Sequence, residues 1–383
     1  MKICVLNPFY YPYLGGTEKV LFELYSRIAR RNEVCVVSAT LRENPHEGEE
    51  EINGVRVIRL KTRYIDLPGL PMAMPIIYGV PKVIVEESAD IYHINNRYLY
   101  YHDTLSAITK SKGKLAITLH NALPRGINAF TDFGGLAYDL FWGRNIMNRS
   151  DTIIGITQNV VDTTVPKNLL WKTSVVFNGI DYNRFKERKK GKGSEKISTI
   201  KEEFENKRIV LNVARLTWQK GQRYLIKAFA ELAREHSDLF LIIIGRGPLQ
   251  PFLYKEAKRY GVEKHFRILS NISEEMLPYY YNAASVFALP SLYEPASVAL
   301  LEALASKVPA VASRIGGIPE MMKDAGRYCK PNDSEDLAKK MESALEEKSL
   351  SLRLSEKGRR LMKKEHDWNK IANKYEALFK NIL

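Results

Sequence analysis

The sequence has few cysteines, few glutamines and no long apolar run. Its three cysteines, Cys4, Cys35 and Cys329, are odd in number and far apart, which excludes a disulfide framework and a cysteine zinc site and predicts buried residues in a reducing compartment. No run of about 18 apolar residues occurs, so no membrane-spanning helix is expected. The chain opens with the strand-like MKICVLN rather than a signal peptide, which favours a cytoplasmic protein. Only four glutamines stand among many lysines, glutamates and arginines, a bias typical of thermophilic proteins.

The net charge is +14, from 58 Lys+Arg and 44 Asp+Glu. Such an excess can indicate a nucleic-acid-binding protein or a protein that contacts anionic membranes. Residues 1–190 hold 25 basic and 19 acidic side chains (+6), the remainder hold 33 and 25 (+8), and neither end forms a basic tail. This even spread argues against nucleic acid. It favours anionic small molecules, or loose contact with the inner face of a membrane.

Short apolar, β-branched runs alternate with helical segments, which predicts doubly wound parallel sheets. In the first half, strands are predicted at Ile3–Leu6, Val34–Val37, Val55–Leu60, Ile91–Ile94, Leu115–Leu119, Ile153–Ile156 and Val175–Phe177. After the basic, glycine-containing stretch Arg184–Lys196, the best linker candidate, they are predicted at Ile209–Val213, Phe240–Ile244, Phe266–Leu269, Val286–Ala288 and Ala310–Ala312.

We therefore predict two Rossmann-like domains, residues 1–190 and 191–365. An amphipathic C-terminal helix within residues 366–383 could pack back on the first domain. The apolar, proline-rich segment Leu67–Val80 is interpreted as a buried loop leading into a helix, with a loop for a membrane or an acceptor lipid as the alternative.

Ligands of doubly wound sheets bind beyond the carboxyl ends of the strands, so the residues that follow each strand are the first candidates. Gly15 and Gly16 follow the first strand and precede a helix, where a phosphate or sugar oxygen could approach the backbone; a tight turn is the alternative. His120 stands at the end of the strand Leu115–Leu119 and is either a structural histidine or a substrate contact.

Two cations follow the first strand of the second half. Arg215 and Lys220 lie between a strand end and a helix start, a placement that suits a diphosphate. No Asp-x-Asp motif occurs in the chain, so a diphosphate would have to be neutralised without an obligatory metal. Gly245 and Gly247 resemble the start of a dinucleotide fingerprint, but Gln250 replaces its third glycine, which disfavours a nicotinamide or flavin enzyme.

The segment Pro290–Ala305 carries two glutamates, Glu294 and Glu302. Pro295 suits the first turn of a helix, so we expect Glu294 at or just before a helix start and Glu302 two turns in. Their backbones would then stand about 12 Å apart on one helix. A glycoside hydrolase needs carboxyl groups about 5–10 Å apart on either side of one bond. A sugar at one end and a ribose at the other fit this pair better; two surface glutamates are the alternative.

Taken in order, these features resemble the retaining family 4 (group 1) glycosyltransferases of the GT-B fold, over nearly the whole chain. The resemblance rests on the glycines after the first strand, His120, Asn178-Gly179-Ile180-Asp181, Arg215 with Lys220-Gly221, Gly245-x-Gly247-Pro248, Glu294-x7-Glu302 and Ser313–Glu320. It implies two Rossmann-like domains facing across a cleft, with a nucleotide diphosphate sugar bound mainly by the second domain and the acceptor by the first.

The resemblance also implies roles for individual residues. Arg215 and Lys220 would hold the diphosphate as the leaving group, and Glu302 would bind the ribose. Glu294 and His120 would contact the donor sugar, and Gly16 would lie near the donor phosphate. The implied catalytic residues are His120, Arg215, Lys220 and Glu294. The implied donor-binding residues are Gly15, Gly16, Arg215, Lys220, Gly245, Gly247, Glu294, Pro295, Ala296, Ser297, Val298 and Glu302.

The sequence departs from the family after the first glutamate. The family often reads Glu-Gly-Phe-Gly there, whereas this chain reads Glu294-Pro295-Ala296-Ser297. The sugar therefore stays open. The base (UDP, GDP or ADP) stays open too, because backbone groups often recognise it. The acceptor stays open too, among lipid-linked sugars, a small metabolite and a polysaccharide precursor.

Other functions remain as alternatives on the same fold. A sugar-nucleotide epimerase would need no acceptor, a phosphorylase would need free phosphate, and a non-catalytic sugar-binding protein would be expected to lack one of the charged residues. We expect no cofactor and no obligatory metal. We also expect Lys220→Ala and Glu302→Ala to abolish most transfer with little loss of thermal stability.

Overall fold

The computed structural model describes residues 1–13, 15–42, 45–66, 74–96, 102–121, 143–186 and 192–383. These form two compact units. Unit 1 comprises Met1–Asn178 with Trp368–Leu383, and unit 2 comprises Gly179–Asp367. The segment Leu67–Val80 lies outside the described residues up to residue 73; its described part forms a strand and leads into a helix that begins at Val80.

The described residues of unit 1 form ten strands, of which eight belong to one sheet. In chain order they are β1 (Lys2–Leu6), β2 (Glu33–Ala39), β3 (Gly48–Ile52), β4 (Val55–Leu60), β5 (Thr62–Ile65), β6 (Met74–Ile77), β7 (Ile91–Asn95), β8 (Lys114–Leu119), β9 (Thr152–Gly155) and β10 (Thr173–Val175). The sheet order is β10-β9-β8-β7-β1-β2-β4-β3, and β5 and β6 form a separate antiparallel hairpin. Only β3 runs antiparallel to its neighbour in the large sheet. β1 lies between β7 and β2, and the strands are added on one side of it first and then on the other. The loops that follow β1 and β7 are therefore neighbours.

Unit 2 is built on a six-stranded parallel sheet. Its strands are β11 (Arg208–Val213), β12 (Leu239–Ile244), β13 (Phe266–Leu269), β14 (Ala284–Leu289), β15 (Ala310–Ser313) and β16 (Arg327–Cys329). Their order, β13-β12-β11-β14-β15-β16, is the 3-2-1-4-5-6 order of a Rossmann sheet. The strand order reverses between β11 and β14, so a crevice is expected at their carboxyl ends.

Helices cover the sheets. Those of unit 1 are α1 (Gly16–Ile28), α2 (Val80–Glu87), α3 (His102–Ser111), α4 (Arg144–Arg149) and α5 (Gln158–Thr164). Those of unit 2 are α6 (Tyr182–Phe185), α7 (Lys192–Glu203), α8 (Gln222–Glu235), α9 (Gln250–Arg259), α10 (Leu277–Ala283), α11 (Val298–Ala305), α12 (Ile318–Met322), α13 (Ser334–Glu346) and α14 (Lys348–Glu365). The last helix, α15 (Trp368–Ile382), belongs to unit 1.

Burial explains why the inner strands are predominantly apolar. All six residues of β12 are buried and apolar. All five residues of β7 are buried as well, although two of them, His93 and Asn95, are polar. A strand covered by helices on both faces shows no regular alternation with exposed polar residues, because each face is core.

The boundary between the units lies earlier than the predicted linker. The chain changes unit after Asn178, not at residue 190, because α6 already packs into unit 2. Phe185 is 1% exposed within the core of unit 2, and its carbonyl oxygen accepts a hydrogen bond from the Ser306 hydroxyl at 2.8 Å. The second crossing follows Asp367, two residues after the predicted end of the second domain.

Helix α15 joins unit 1 through aromatic and polar contacts. Phe379 is fully buried and lies edge-on to the His93 ring, with centroids 5.2 Å apart. The buried Tyr375 hydroxyl lies 3.3 Å from the Thr118 hydroxyl of β8. These contacts attach the end of the chain to the middle of the first sheet.

The three cysteines are buried and unlinked. Cys4 and Cys35 stand opposite each other on the neighbouring strands β1 and β2. Of the described helices, none combines the length and the apolar composition needed to cross a membrane.

Candidate active site

Unit 2 brings four of the predicted residues to the carboxyl ends of β11 and β14. Arg215 and Lys220 stand in the loop after β11, and Glu294 stands in the loop after β14. Glu302 lies in α11, the helix that follows. This is the crevice at which the strand order reverses.

The loop after β11 rests on the loop after β12. The amide of Leu216 donates to the Arg246 carbonyl oxygen at 2.8 Å. A Cβ at Gly245 would come within 2.0 Å of the Ala214 carbonyl oxygen, and one at Gly247 within 2.4 Å of the Leu216 carbonyl oxygen. The two predicted glycines therefore let this loop, which carries both cations, lie against the neighbouring backbone.

Lys220 and Glu294 form a buried ion pair. The Lys220 ammonium lies 2.6 Å from Oε2 of Glu294, and the side chains are 17% and 4% exposed. The Ser291 hydroxyl donates to the same oxygen at 3.2 Å. Among the described residues, the other oxygen of this carboxylate has no hydrogen-bond partner.

Arg215 is exposed, unlike Lys220. Its backbone carbonyl accepts a hydrogen bond from the Gln222 side chain at 2.9 Å, but no described residue pairs with its guanidinium. One neighbouring polar atom, Oγ1 of Thr217, is buried without a partner among the described residues. The loop thus offers an available cation, a paired one and an unpaired hydroxyl.

Glu294 does not stand at a helix start, which corrects the prediction from Pro295. Helix α11 begins at Val298 because the Ser297 hydroxyl accepts a hydrogen bond from the Leu300 amide at 3.2 Å and caps the helix. Glu294 lies in the preceding loop, so the predicted spacing along one helix axis does not apply.

Two backbone hydrogen bonds fix the loop that carries Glu294. The Leu292 amide donates to the Gln219 carbonyl oxygen at 2.7 Å, and the Gly317 amide donates to the Glu294 carbonyl oxygen at 3.1 Å. Gly316, with φ +52°, lies so close that a Cβ there would be 2.2 Å from the Glu294 carbonyl oxygen. The loop is therefore held from both sides.

Glu302 is buried in the second turn of α11, at 3% exposure. The Tyr281 hydroxyl of α10 donates to its Oε2 at 2.9 Å. Burial and the neighbouring Glu302 carboxylate raise the pKa of Tyr281 well above its ordinary value, so the hydroxyl keeps its proton. A buried carboxylate has capacity for several hydrogen bonds, so Glu302 is suited to accept more of them from hydroxyl groups.

Unit 1 holds the remaining candidates at the carboxyl ends of β1, β7 and β8. His120 follows β8 and is 6% exposed; its Nε2 lies 3.1 Å from Oδ1 of Asn95, at the end of β7. Burial lowers the pKa of His120 to about 4, so the ring is neutral at pH 7. Gly15 and Gly16 begin α1, and a Cβ at Gly16 would meet no atom within 4 Å.

The sequence did not identify Tyr281, Ser291 or Asn95. Tyr281 is one of three consecutive tyrosines, and only the fold selects the one that faces Glu302. Ser291 and Asn95 follow strands, where polar residues are common. A search of every strand end for polar side chains would have found these two.

The described residues contain one group that could hold a metal ion, namely Glu235, His236 and Glu342. It lies near Arg208, the first residue of β11. It is therefore at the amino ends of the strands, whereas the crevice is at their carboxyl ends. The Arg208 guanidinium is already bonded to Asp238 and Glu346 beside it.

Two family models match the chain. That of the glycosyl transferases group 1 matches residues 193–361, and that of glycosyltransferase family 4 matches residues 14–184, so together they span most of the sequence. The chain belongs to the group 1 glycosyltransferases. Of the motifs that suggested this family, those with Arg215, Lys220, Glu294 and Glu302 lie in unit 2, and the glycines after β1 and His120 lie in unit 1.

Curated relatives of this group 1 glycosyltransferase include an uncharacterized glycosyltransferase of Methanocaldococcus jannaschii, 28% identical over 46% of this chain and 45% of that protein. N-acetyl-alpha-D-glucosaminyl L-malate synthase of Bacillus anthracis is 24% identical over 97% of this chain and 96% of that protein. The chain spans about half the length of the first curated relatives that it matches.

Solved structures resemble this glycosyltransferase over its whole length. Anabaena HepE, in complex with UDP and glucose, is 20% identical with a TM-score of 0.78, and covers 100% of both chains. At this identity the likeness shows the fold, which is GT-B with two Rossmann-like units. The predicted fold class is confirmed.

Proposed function

We propose that this glycosyltransferase transfers a sugar from a nucleotide diphosphate sugar to an acceptor hydroxyl, with retention at the anomeric carbon and without an obligatory metal. The observation that carries the proposal is the set of charges at the crevice of unit 2. A guanidinium that no described residue pairs with, a lysine and a buried carboxylate stand in the loops after β11 and β14, and a second buried carboxylate stands in the helix that follows. HepE, a structural neighbour, was crystallised with UDP and glucose, which supports a donor of this class.

Arg215 and Lys220 would bind the diphosphate. Arg215 can bind phosphate oxygens bidentately, since no described residue occupies its guanidinium. Lys220 would share its ammonium between Glu294 and the phosphate. The start of α8, just after Gly221, adds backbone amides and the positive end of the helix dipole. These groups supply the positive charge for which other transferases use a metal, and this is why we propose independence from metal.

The transfer step needs little else from the protein. The bond between the anomeric carbon and the phosphate oxygen breaks, and the acceptor oxygen bonds to that carbon on the same face. The acceptor's proton passes to the departing phosphate oxygen. Arg215 and Lys220 stabilise the negative charge that develops on the diphosphate, which is catalysis by preorganised charge.

The carboxylates would position the two ends of the donor. Glu302, supported by Tyr281, would accept hydrogen bonds from the ribose hydroxyls. The second oxygen of Glu294 would accept one from a hydroxyl of the sugar. The proposed contacts of His120 with the sugar and of Gly15 and Gly16 with the donor stay predictions.

The departure at Pro295-Ala296-Ser297 alters the donor pocket in a definite way. Pro295 has no amide proton. The Ser297 amide lies 3.4 Å from the Met321 sulfur, and its hydroxyl caps α11. We propose that this segment offers the sugar fewer backbone donors than the common Glu-Gly-Phe-Gly run, and that sugar selectivity differs accordingly.

An assay of nucleotide release from UDP-, GDP- and ADP-sugars, with EDTA present, tests the proposal. We expect Arg215→Met and Glu302→Gln to lose most of the activity while Arg259→Met, an exposed arginine at the end of α9, retains it. If both site variants release nucleotide at the wild-type rate, the site assignment is wrong. Product from the donor alone would favour an epimerase, and a requirement for free phosphate would favour a phosphorylase.

A further inference from the structure

The environment of His120 determines which of its ring nitrogens carries the proton. Its Nε2 lies 3.1 Å from the Asn95 amide oxygen, which can only accept a hydrogen bond. With the amide in this orientation, a neutral ring carries its proton on Nε2. Nδ1 then has a bare lone pair, and it is buried without a partner among the described residues.

The ring stays neutral because of its surroundings. His120 lies in the interior of unit 1, and burial lowers its pKa to about 4. The titratable group that interacts with it is His93 on β7, whose lowered pKa keeps it neutral at pH 7 as well. Tyr25 on α1 and Tyr375 on α15 lie against His93, and burial raises the pKa of both hydroxyls, so they carry no charge at pH 7. No described aspartate or glutamate forms an ion pair with either histidine.

His93, two residues before Asn95, is a buried histidine with a partner at each ring nitrogen. Its Nδ1 contacts the Tyr25 hydroxyl, and its Nε2 lies 2.7 Å from the Thr118 hydroxyl. The Thr118 hydroxyl lies 3.3 Å from that of Tyr375. Both ring nitrogens of His93 are therefore satisfied, whereas no described residue contacts the Nδ1 of His120.

We propose that Asn95 is a positioning residue that holds His120 in the Nε2–H tautomer, so that Nδ1 accepts a hydrogen bond from a substrate hydroxyl. The identity of that hydroxyl as one on a sugar rests on the proposed function. The tautomer itself does not. A bare Nδ1 binds groups that bring a hydrogen, and it repels phosphate and carboxylate oxygens. His120 therefore serves as an acceptor and does not protonate the leaving group.

The tautomer can be observed directly in protein labelled with 15N-histidine. The His120 signals are assigned by their loss in His120→Gln. We expect an unprotonated Nδ1 and a protonated Nε2 at pH 7. In Asn95→Ala we expect an Nδ1-protonated population of His120 to appear, with the His93 signals unchanged, and kcat/KM to fall about tenfold, the size of one neutral hydrogen bond.

Because Asn95→Ala could disturb folding, two substitutions of nearly the same size and shape provide a second test. Asn95→Asp places a carboxylate on Nε2 and should raise the pKa of His120, because it stabilises the charged ring. Asn96→Asp is the matched control, since the Asn96 side chain accepts from the His120 backbone amide at 3.1 Å and not from its ring. We expect a clearly larger rise in Asn95→Asp, with the Nε2–H tautomer kept above the new pKa.

A proton on Nδ1 in the wild type, or an unchanged tautomer in Asn95→Ala, would overturn the proposal. So would equal pKa shifts in the two aspartate variants. If the tautomer responds as expected but His120→Ala transfers like the wild type, the role of Asn95 stands. In that case it is the contact of His120 with the sugar, part of the proposed function, that fails.

Discussion

Arg215 and Lys220 carry the same charge, but only the removal of Lys220 would leave a buried carboxylate without its ion-pair partner. Lys220 neutralises Glu294, which is 4% exposed, whereas no described residue pairs with the Arg215 guanidinium. A carboxylate left alone in such a place is costly, since breaking a buried ion pair from one side typically costs about 3–5 kcal/mol.

Lys220→Met should therefore lower the free energy of unfolding by about 3 kcal/mol, and Arg215→Met by less than about 0.5 kcal/mol. Both should lose affinity for a nucleotide diphosphate. Urea unfolding of the two variants measures the difference, and adding Glu294→Gln to Lys220→Met should restore part of the loss. Equal stability of the two single variants would contradict the buried pair. This replaces the expectation from sequence that removing Lys220 barely affects stability.

Tyr281 supports Glu302, and its neighbour Tyr280 provides a control. Tyr281→Phe removes the donor to a buried carboxylate and should cost about 1–3 kcal/mol of stability, and it should weaken nucleotide binding. Tyr280 is also buried, but its hydroxyl forms no described hydrogen bond, so Tyr280→Phe should change neither quantity. Thermal unfolding and calorimetric titration distinguish the two. A wild-type affinity in Tyr281→Phe would show that Glu302 does not need this support.

For individual residues, the sequence predicted which charged side chains belong to the candidate site, but not which of them form ion pairs with one another. Arg215, Lys220, Glu294 and Glu302 stand out because each is charged and follows a strand. The bond between Lys220 and Glu294 could not be predicted, because it depends on β11 and β14 being neighbours although 74 residues separate the two side chains.

The loop between β14 and α11 is the element that presents Glu294, and Gly316 limits where it can lie. Gly316→Ala should displace the Glu294 carbonyl, lower stability and weaken donor binding. Gly261→Ala is the matched control, since Gly261 also has positive φ (+73°) but a Cβ there would meet no atom within 4 Å. It should therefore lose stability through backbone strain alone. Comparing donor affinity in the two variants separates strain from displacement, and equal affinities would contradict the role of this contact.

Elements were predictable where composition was distinctive. β12, which is buried on both faces and apolar throughout, was predicted nearly to the residue. So was β7, which is mostly apolar but holds the polar residues His93 and Asn95. β3 was not predicted, because its sequence GEEEI is polar: the strand lies at the edge of the sheet with its side chains exposed. The start of α11 was misplaced because Pro295 and Ser297 both favour a helix start, and the hydroxyl cap of Ser297 decides between them.

On the scale of the whole molecule, unit 1 should be sensitive to mild acid. Burial lowers the pKa of His93 to about 3 and that of His120 to about 4, from an ordinary value of 6.5. Below pH 6.5 these histidines are protonated in the unfolded chain but stay neutral in the folded chain. The free energy of unfolding that they contribute above pH 6.5 is therefore lost as the pH falls. The lowered pKa of Glu87 acts only below its ordinary value of 4.5.

We expect unit 1 to lose about 2 kcal/mol per histidine between pH 7 and pH 5. Hydrogen exchange of β7 and β8 at several pH values measures this loss, and His120→Gln should remove about half of it. A stability that stays constant over this range would show that the two rings are not held neutral by burial.

The division into two Rossmann-like units was predictable from the repeated alternation of strands and helices, but its boundary was not. The basic stretch Arg184–Lys196 looks like a linker by composition, yet Phe185 inside it is a core residue of unit 2. The strand order of unit 2 could not be predicted from the sequence either. That order, rather than any single motif, places the loops after β11 and β14 side by side.

The central claim is that unit 2 binds a nucleotide diphosphate through Arg215, Lys220 and Glu302 without a metal. Calorimetric titration with UDP, GDP and ADP in EDTA tests it most directly. We expect micromolar binding of one nucleotide in preference to the others, weakened at least about tenfold in Arg215→Met and in Glu302→Gln. Absence of binding for all three, or binding that appears only when magnesium is added, would contradict it.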